Sequence, residues 1–154
     1  MFGMCIRYAR TREDAEDILH DGFIAAFRDF HQYKGDGPVE GWVRRVILNT
    51  ALQFLRKQSK NIFIYREDKE LQMSDDSFND DPFEKEQMIK TMLKSIQDMP
   101  TGFRTVLNLY VIEGHSHDQI ANLLGISVGT SKSQLFRAKE YLRKVLANAL
   151  NVNE

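Results

Sequence analysis

The chain has 154 residues, of which 42% are hydrophobic and 10% aromatic, and 21 Lys and Arg face 22 Asp and Glu. This composition excludes an intrinsically disordered protein, because it supplies enough apolar surface to offset chain entropy. A single cysteine, Cys5, rules out an intramolecular disulfide and gives no support to a zinc fold. No apolar run reaches the roughly 18 residues of a membrane helix, and the opening residues do not resemble a signal peptide. We therefore expect a cytoplasmic protein with no membrane insertion.

The net charge of −1 is a cancellation between segments of opposite sign. Residues 1–60 hold 10 basic and 8 acidic side chains, and residues 100–154 hold 6 and 4. Residues 61–99 between them hold 5 basic and 10 acidic side chains. The small total charge therefore does not exclude a nucleic-acid partner for either end of the chain.

The first strong pattern predicts an amphipathic helix between Ala15 and Phe30, with apolar or small residues at the i, i+3, i+4 spacing. Thr11 is suited to cap this helix. Its polar side is acidic, which indicates either a solvated face or a surface that docks a basic partner protein. The acidic residues are Glu13, Asp14, Glu16, Asp17 and Asp21.

A loop rich in glycine follows at 33–38, and a second amphipathic helix runs from Val43 to Phe54. Its basic residues are suited to bind backbone phosphates, two aromatic residues to stack on unpaired bases, and one amide to read a base edge. The other interpretation is a solvated helix whose tryptophan belongs to the core. The basic residues are Arg44, Arg45, Arg56 and Lys57, the aromatic residues are Tyr33 and Trp42, and the amide is Asn49.

Residues 67–86 carry nine acids against two lysines and predict a flexible, self-repelling linker. Helical spacing resumes at Met88, breaks at Pro100 and ends at Gly114, and no convincing strand pattern occurs. We therefore predict an all-α fold of two small helical domains, covering 1–60 and 87–154, joined by an acidic linker at 61–86.

The sharpest motif is a helix-turn-helix at 117–135, HDQIANLLGISVGTSKSQL. Ala121 allows a close crossing, Gly125 makes the turn, and Ser127 caps the second helix. The start of that helix mixes hydroxyl, basic and amide side chains, which suits a DNA major groove. The other interpretation is a buried helical hairpin with solvated charges. The proposed DNA-binding residues are Thr130, Lys132, Ser133, Gln134, Phe136 and Arg137.

The sequence shows no Ser/His/Asp nucleophile motif and no glycine loop for phosphates. His115 and His117 lie two residues apart without a second ligand cluster, and the partial calcium-loop pattern from Asp75 to Glu86 lacks its glycine. We predict that the chain is not an enzyme and needs no metal or other cofactor.

Two long segments resemble the extracytoplasmic-function (ECF) group of bacterial sigma-70 factors. DAEDILHDGFIAAFRDFHQYKGDGPVEGWVRRVILNTALQFLRK is similar to region 2, and MPTGFRTVLNLYVIEGHSHDQIANLLGISVGTSKSQLFRAKEYLRKVL is similar to region 4. Two such motifs in this order are more specific than a helix-turn-helix alone.

The resemblance implies that Asp14, Asp17 and Asp21 dock on the clamp helices of the RNA polymerase β′ subunit. It implies that the region 2 loop and helix melt and hold the minus-10 promoter element, and that the helix-turn-helix binds the minus-35 element and touches the β flap. The linker would run toward the RNA exit path, and an anti-sigma factor is a possible further partner.

Two features depart from the family pattern. Met1 begins inside what the family makes a longer first helix, so we expect region 2 to be incomplete at its start. Ser131 occupies a position that is usually apolar, which predicts looser packing or a side chain turned outward.

The leading hypothesis is a promoter-specificity subunit of bacterial RNA polymerase that helps to open DNA. A stand-alone helix-turn-helix regulator, whose first lobe only dimerises, is the alternative among DNA-binding proteins. An interaction protein whose acidic linker shields its basic lobes from DNA is the alternative from another class.

Overall fold

The computed structural model describes the backbone of residues 1–58 and 82–151 and the side chains of 1–58 and 86–147. The chain divides near residue 62 into two compact units. Both units are helical and no strand occurs in the described ranges, which confirms the all-α prediction. Most of the predicted linker, 61–81, lies outside these ranges. Its last residues, 82–86, belong to a helix that begins at Pro82. No helix in the described part of the chain is both long and apolar enough to span a membrane.

The amino-terminal unit contains three α-helices: α1 (Phe2–Tyr8), α2 (Arg12–Arg28) and α3 (Val39–Gln58). A short 3₁₀ turn, Phe30–Gln32, follows α2. The predicted cap of α2 is confirmed, since the Thr11 hydroxyl accepts a hydrogen bond from the Asp14 backbone N–H at 3.1 Å.

The core of this unit forms where the apolar stripes of the helices meet. Side chains from α1, α2 and α3 are buried there, among them Cys5, Tyr8, Ile18, Ile47 and Leu55. Gly22 of α2 is also buried and faces Ile47 of α3, which brings these two helices close together. This close crossing determines which side of α3 remains exposed to solvent.

The carboxy-terminal unit contains α4 (Pro82–Asp98), α5 (Thr101–Leu107), α6 (His117–Leu124) and α7 (Val128–Asn151). The helix predicted to run to Gly114 changes at its end into a π-helical turn, Asn108–Ile112. Gly114, two residues beyond this turn, has a positive φ of 74°, a conformation that favours glycine.

A buried arginine joins α4 to α5. The Arg104 side chain is fully buried, and its Nη1 donates to the carbonyl oxygen of Gln97 at 2.6 Å and to that of Met99 at 3.3 Å. A cation at the carboxyl end of a helix satisfies its last carbonyl groups and complements the helix dipole. Arg104 therefore fixes the end of α4 relative to α5.

The helix-turn-helix is formed as predicted. Ser116 and Gln119 make a capping box at the start of α6, and Gly125 ends α6 with a left-handed φ of 66°. The Ser127 hydroxyl accepts from the Thr130 backbone N–H at 3.0 Å and so caps α7. The inner faces of both helices are buried, at Ile120, Ala121, Leu124, Leu135 and Ala138.

Candidate nucleic-acid interface

The first turns of α7 present an exposed face that suits a DNA groove. Lys132, Ser133, Phe136 and Arg137 are all exposed there, and Phe136 keeps 57% of its surface open to solvent. Cations and hydroxyls are suited to phosphates and base edges, and an aromatic ring to the methyl group of thymine. These four predicted residues therefore share one accessible surface.

Thr130 is half-buried and takes part in the start of the helix. Its hydroxyl lies 2.8 Å from that of Ser127, and its carbonyl oxygen accepts from the Ser133 hydroxyl at 3.0 Å. Thr130 thus supports the helix end that would approach a phosphate, and it is less accessible than Ser133.

Gln134 does not lie with these residues. Its side chain is 1% exposed, and a Cβ placed on Gly102 of α5 would stand 3.0 Å from its Oε1. The residue therefore packs between α7 and α5, on the side of the helix that also buries Leu135 and Ala138. This placement corrects the prediction that Gln134 reads a base edge, because a buried side chain on this side of α7 does not reach the exposed face.

The Ser131 side chain is turned inward. The sequence had left two alternatives open, looser packing or a side chain turned outward. It is fully buried, and its Oγ lies 2.9 Å from Nδ1 of His117 on α6. The polar side chain is accommodated because a residue of the other helix supplies its hydrogen-bond partner.

The exposed charge of α7 is mainly positive. Among residues 128–147, Glu140 is the single acidic side chain. Its carboxylate lies 3.9 Å from the Arg137 guanidinium, and both side chains are substantially solvated. Such a pair is worth little in water, so it does not prevent Arg137 from binding a phosphate or a base. The exposed basic residues are Lys132, Arg137, Lys139, Arg143 and Lys144.

Three aromatic rings form a cluster beside the glycine-rich loop of the amino-terminal unit. The Phe30, Tyr33 and Trp42 rings lie with centroids 5.9 to 6.1 Å apart in all three pairings. The Tyr33 hydroxyl donates to the Gly37 carbonyl oxygen at 2.6 Å and so ties the cluster to the loop. Phe30 is 54% exposed, and the cluster therefore offers an open aromatic surface suited to stack an unpaired base.

A polar stripe continues from this cluster along α3. Arg45, Asn49 and Arg56 follow Trp42 at intervals of three, four and seven residues, which places them on one helix face, and all three are exposed. Lys57 is exposed beside this stripe. The arrangement combines an aromatic surface and cations, the two features that single-strand binding sites share, with one amide.

Arg44 lies apart from that stripe. It is half-buried on the face of α3 that also carries the buried residues Ile47, Leu48 and Ala51. The prediction grouped Arg44 with Arg45 as a phosphate ligand, but the structure does not bring the two onto one surface.

An ion pair precedes the aromatic cluster at the end of α2. Arg28 donates two hydrogen bonds to the Asp29 carboxylate, at 2.9 and 2.8 Å. These bonds lower the pKa of Asp29 and raise that of Arg28. Asp29 therefore carries its negative charge already paired, next to Phe30.

The acidic residues of α2 lie away from the core. Asp14, Asp17 and Asp21 follow one another at intervals of three and four residues and therefore share one face of the helix. Asp17 and Asp21 are exposed, and Asp14 is half-buried. Glu16 lies on another side of the helix and pairs with Arg12 at 2.9 Å. The helix thus carries an acidic strip that can meet a basic protein surface.

Comparison with known proteins gives a family match for each of the two units. The family model described as "Sigma-70 region 2" matches residues 1–61, and "Sigma-70, region 4" matches residues 89–142. The chain belongs to the sigma-70 family. The two matches place the aromatic cluster in region 2 and the helix-turn-helix in region 4 of this sigma-70 family member.

Curated relatives include an ECF sigma factor. The chain is 29% identical to the RNA polymerase sigma-H factor of Pseudomonas aeruginosa, over 95% of this chain and 80% of that protein. It is also 29% identical to the ECF RNA polymerase sigma-E factor of Haemophilus influenzae, over 91% of this chain and 78% of that protein.

A solved structure is similar in fold to this sigma-70 family member. It is the sigma factor RpoE from Bartonella quintana, in complex with the anti-sigma factor NepR. The TM-score is 0.58 at 17% identity, covering 95% of this chain and 89% of that one.

Sequence reasoning missed the contacts of two residues, Phe30 in the aromatic cluster and His117 behind the exposed face of α7. It placed Phe30 in the apolar stripe of the first helix, although α2 ends before it at Arg28 and the 3₁₀ turn directs it toward Tyr33 and Trp42. It considered His117 as a metal ligand only, although the ring bonds to Ser131. The signal available for Phe30 was its position next to the glycine-rich loop.

Proposed function

We propose that this chain is a promoter-specificity subunit of bacterial RNA polymerase, which recognises the minus-35 and minus-10 elements and helps to open the DNA. The observation that carries this proposal is the pairing of two different nucleic-acid surfaces in one sigma-70 chain. One is a helix with an exposed basic start, suited to duplex DNA; the other is an open aromatic cluster with a polar stripe, suited to an unpaired strand.

Region 4 binds the minus-35 element through the start of α7. The exposed residues Lys132, Ser133, Phe136 and Arg137 are the proposed contacts, and Thr130 supports the helix end. Each cation that neutralises a phosphate releases counterions, so the affinity falls steeply as salt concentration rises.

Region 2 holds the minus-10 element after strand opening. Unstacking a base costs a few kcal/mol, of which stacking on an aromatic side chain returns about 1 to 3 kcal/mol. Phe30, Tyr33 and Trp42 provide the aromatic surface. Along α3, Arg45, Arg56 and Lys57 bind the strand backbone and Asn49 contacts a base.

Core RNA polymerase is the proposed protein partner. The acidic strip of α2, Asp14, Asp17 and Asp21, docks on the β′ clamp helices, and the helix-turn-helix region touches the β flap. The place of action is accordingly the bacterial cytoplasm. Polymerase performs the bond-forming chemistry, and no catalytic step is assigned to this chain.

An anti-sigma factor is a further proposed partner. Both units expose large apolar side chains, such as Ile24 and Phe27 in one and Val111 and Ile112 in the other, and exposed apolar patches often mark protein interfaces. The similar sigma factor from Bartonella quintana is itself bound to an anti-sigma factor.

Reconstitution with core RNA polymerase tests the proposed function. The protein is expected to form a complex with the core enzyme, and that complex is expected to select specific duplexes from a random library and start transcription from them. Failure to form the complex, or no stimulation of promoter-dependent transcription, would contradict the proposal. Tight, specific duplex binding by the free protein without polymerase would instead favour a stand-alone regulator.

A further inference from the structure

Three structural elements of region 4 meet at the His117 ring. His117 is the first residue of α6; its ring stacks on Tyr110 of the π-helical turn, with centroids 4.6 Å apart and planes 23° apart. Its Nδ1 lies 2.9 Å from Oγ of Ser131 on α7. A single side chain therefore links the π-helical turn to both helices of the helix-turn-helix.

Ser131 has a buried polar group that needs a partner. The residue is fully buried, on the same side of α7 as Leu135 and Ala138. A hydroxyl in such surroundings loses its hydrogen bonds to water, and the ring nitrogen of His117 replaces one of them. The contact between α6 and α7 thus contains a directional bond within an otherwise apolar surface.

A directional bond restricts α7 in a way that apolar contacts do not. Hydrophobic burial is non-directional and tolerates small rotations, whereas a hydrogen bond weakens steeply when its distance or angle changes. Lys132 and Ser133 follow Ser131 directly on the same rigid helix. Any rotation of α7 that breaks the bond therefore also turns the side chains proposed to meet DNA.

The ring itself is held in place. Tyr110 stacks on it, and Nζ of Lys139, from α7, lies 6.0 Å from the centroid of the Tyr110 ring. The serine hydroxyl can donate to an Nδ1 that carries no hydrogen or accept from one that does, so the bond can form in either tautomer of the ring.

We propose that His117 and Ser131 are a positioning pair that sets the orientation of α7 for minus-35 recognition. Neither residue contacts DNA in this proposal; both act through the exposed face of α7. The inference rests on the proposed function, because it assigns the pair a role in promoter selection.

A double-mutant cycle in the reconstituted holoenzyme tests the pair. His117→Phe keeps an aromatic ring against Tyr110 but removes Nδ1, and Ser131→Ala removes the hydroxyl. The probe is the duplex that the wild-type holoenzyme selects from the random library. Each single variant is expected to bind it about 3- to 10-fold more weakly and to show altered base preference at the minus-35 positions. The double variant is expected to bind no more weakly than the single variant with the lower affinity, because both substitutions remove the same bond.

Ser116→Ala is the matched control. It removes the cap at the same end of α6 and so lowers stability, but its hydrogen bonds do not reach α7. It is expected to keep the wild-type base preference. Wild-type affinity of both single variants, additive losses in the double variant, or the same change in base preference in Ser116→Ala would each overturn the proposal.

A measurement without DNA separates this inference from the proposed function. The ¹⁵N resonance of His117 Nδ1 in the full chain is expected to shift in Ser131→Ala, because its hydrogen-bond partner is gone. An unchanged resonance would refute the pair itself. A wild-type protein that shows the bond but selects no duplex with polymerase would refute the proposed function instead.

Discussion

Gly22 of α2 lies so close to α3 that a Cβ added to it would stand 2.8 Å from Cγ1 of Ile47 and 3.2 Å from its Cα. Gly22→Ala is therefore expected to push the helices apart and to lower the free energy of unfolding by about 1 to 2 kcal/mol. Overpacking of about 1 to 3 kcal/mol outweighs the gain in helix propensity of up to about 1 kcal/mol. Urea unfolding followed by the fluorescence of Trp42, the single tryptophan, measures this loss.

Gly41→Ala is the control for that substitution. Gly41 lies in α3 with nothing within 4 Å of an added Cβ, so only helix propensity changes and the stability is expected to rise slightly. Equal behaviour of the two variants would show that the close approach to Ile47 has no energetic consequence.

Phe30→Ala is expected to weaken binding of the opened minus-10 strand by about 1 to 3 kcal/mol, because it removes one ring of the aromatic cluster. The rate of promoter opening by the holoenzyme and the binding of a single-stranded minus-10 oligonucleotide measure this effect. Phe27→Ala is the control, since Phe27 is 81% exposed on α2 without belonging to the cluster. A similar loss in both variants would argue against a specific stacking role.

Arg137→Ala is expected to weaken minus-35 binding by about 1 to 3 kcal/mol if the guanidinium contacts a base, and evenly across sequences if it contacts a phosphate. A promoter library distinguishes these outcomes. Lys144→Ala makes the same change in charge at an exposed position further along α7 and is expected to have a smaller effect. If the library shows no change of either kind for Arg137→Ala, the residue does not belong to the interface.

Asp17→Lys is expected to lower the affinity for core RNA polymerase while leaving the fold intact, because Asp17 lies exposed on the acidic strip of α2. Co-purification with core enzyme and circular dichroism check the two parts of this prediction. Glu16→Lys changes the charge equally on another side of the same helix. Equal losses in both variants would indicate a general charge effect rather than docking through the strip.

Cys5 is expected to react slowly with thiol reagents in the native protein. It is fully buried in the amino-terminal unit, and burial raises the pKa of its thiol. A raised pKa leaves less of the reactive thiolate at pH 8, and the core blocks access to it. Labelling with an aromatic disulfide should become fast in urea and faster in native Gly22→Ala than in the native wild-type protein. Rapid labelling of the native wild type would contradict this.

Much of the local structure could be predicted because it depends on neighbours in the chain. The caps at Thr11 and Ser127 use backbone groups three residues away, and the turn at Gly125 requires a backbone conformation that glycine adopts readily. The same holds for the helical periods and for the acidic strip of α2, whose residues share a face by spacing alone.

The orientation of α7 could not be predicted in the same way. A polar residue at the edge of a helical stripe can face either water or the core, and its own sequence neighbourhood does not decide between them. Ser131 and Gln134 face inward because His117 and Gly102, distant in sequence, lie opposite them.

The sequence by itself therefore determined an all-α protein of the sigma-70 type, with its helix caps, its helix-turn-helix and most of its charged surfaces. Only the tertiary structure decided which side of α7 is exposed, that Arg44 lies apart from Arg45, and that Phe30 joins Tyr33 and Trp42. The physical reason is that helix formation follows local spacing and hydrogen bonds, whereas the burial of a given side chain depends on the partner that packing brings to it.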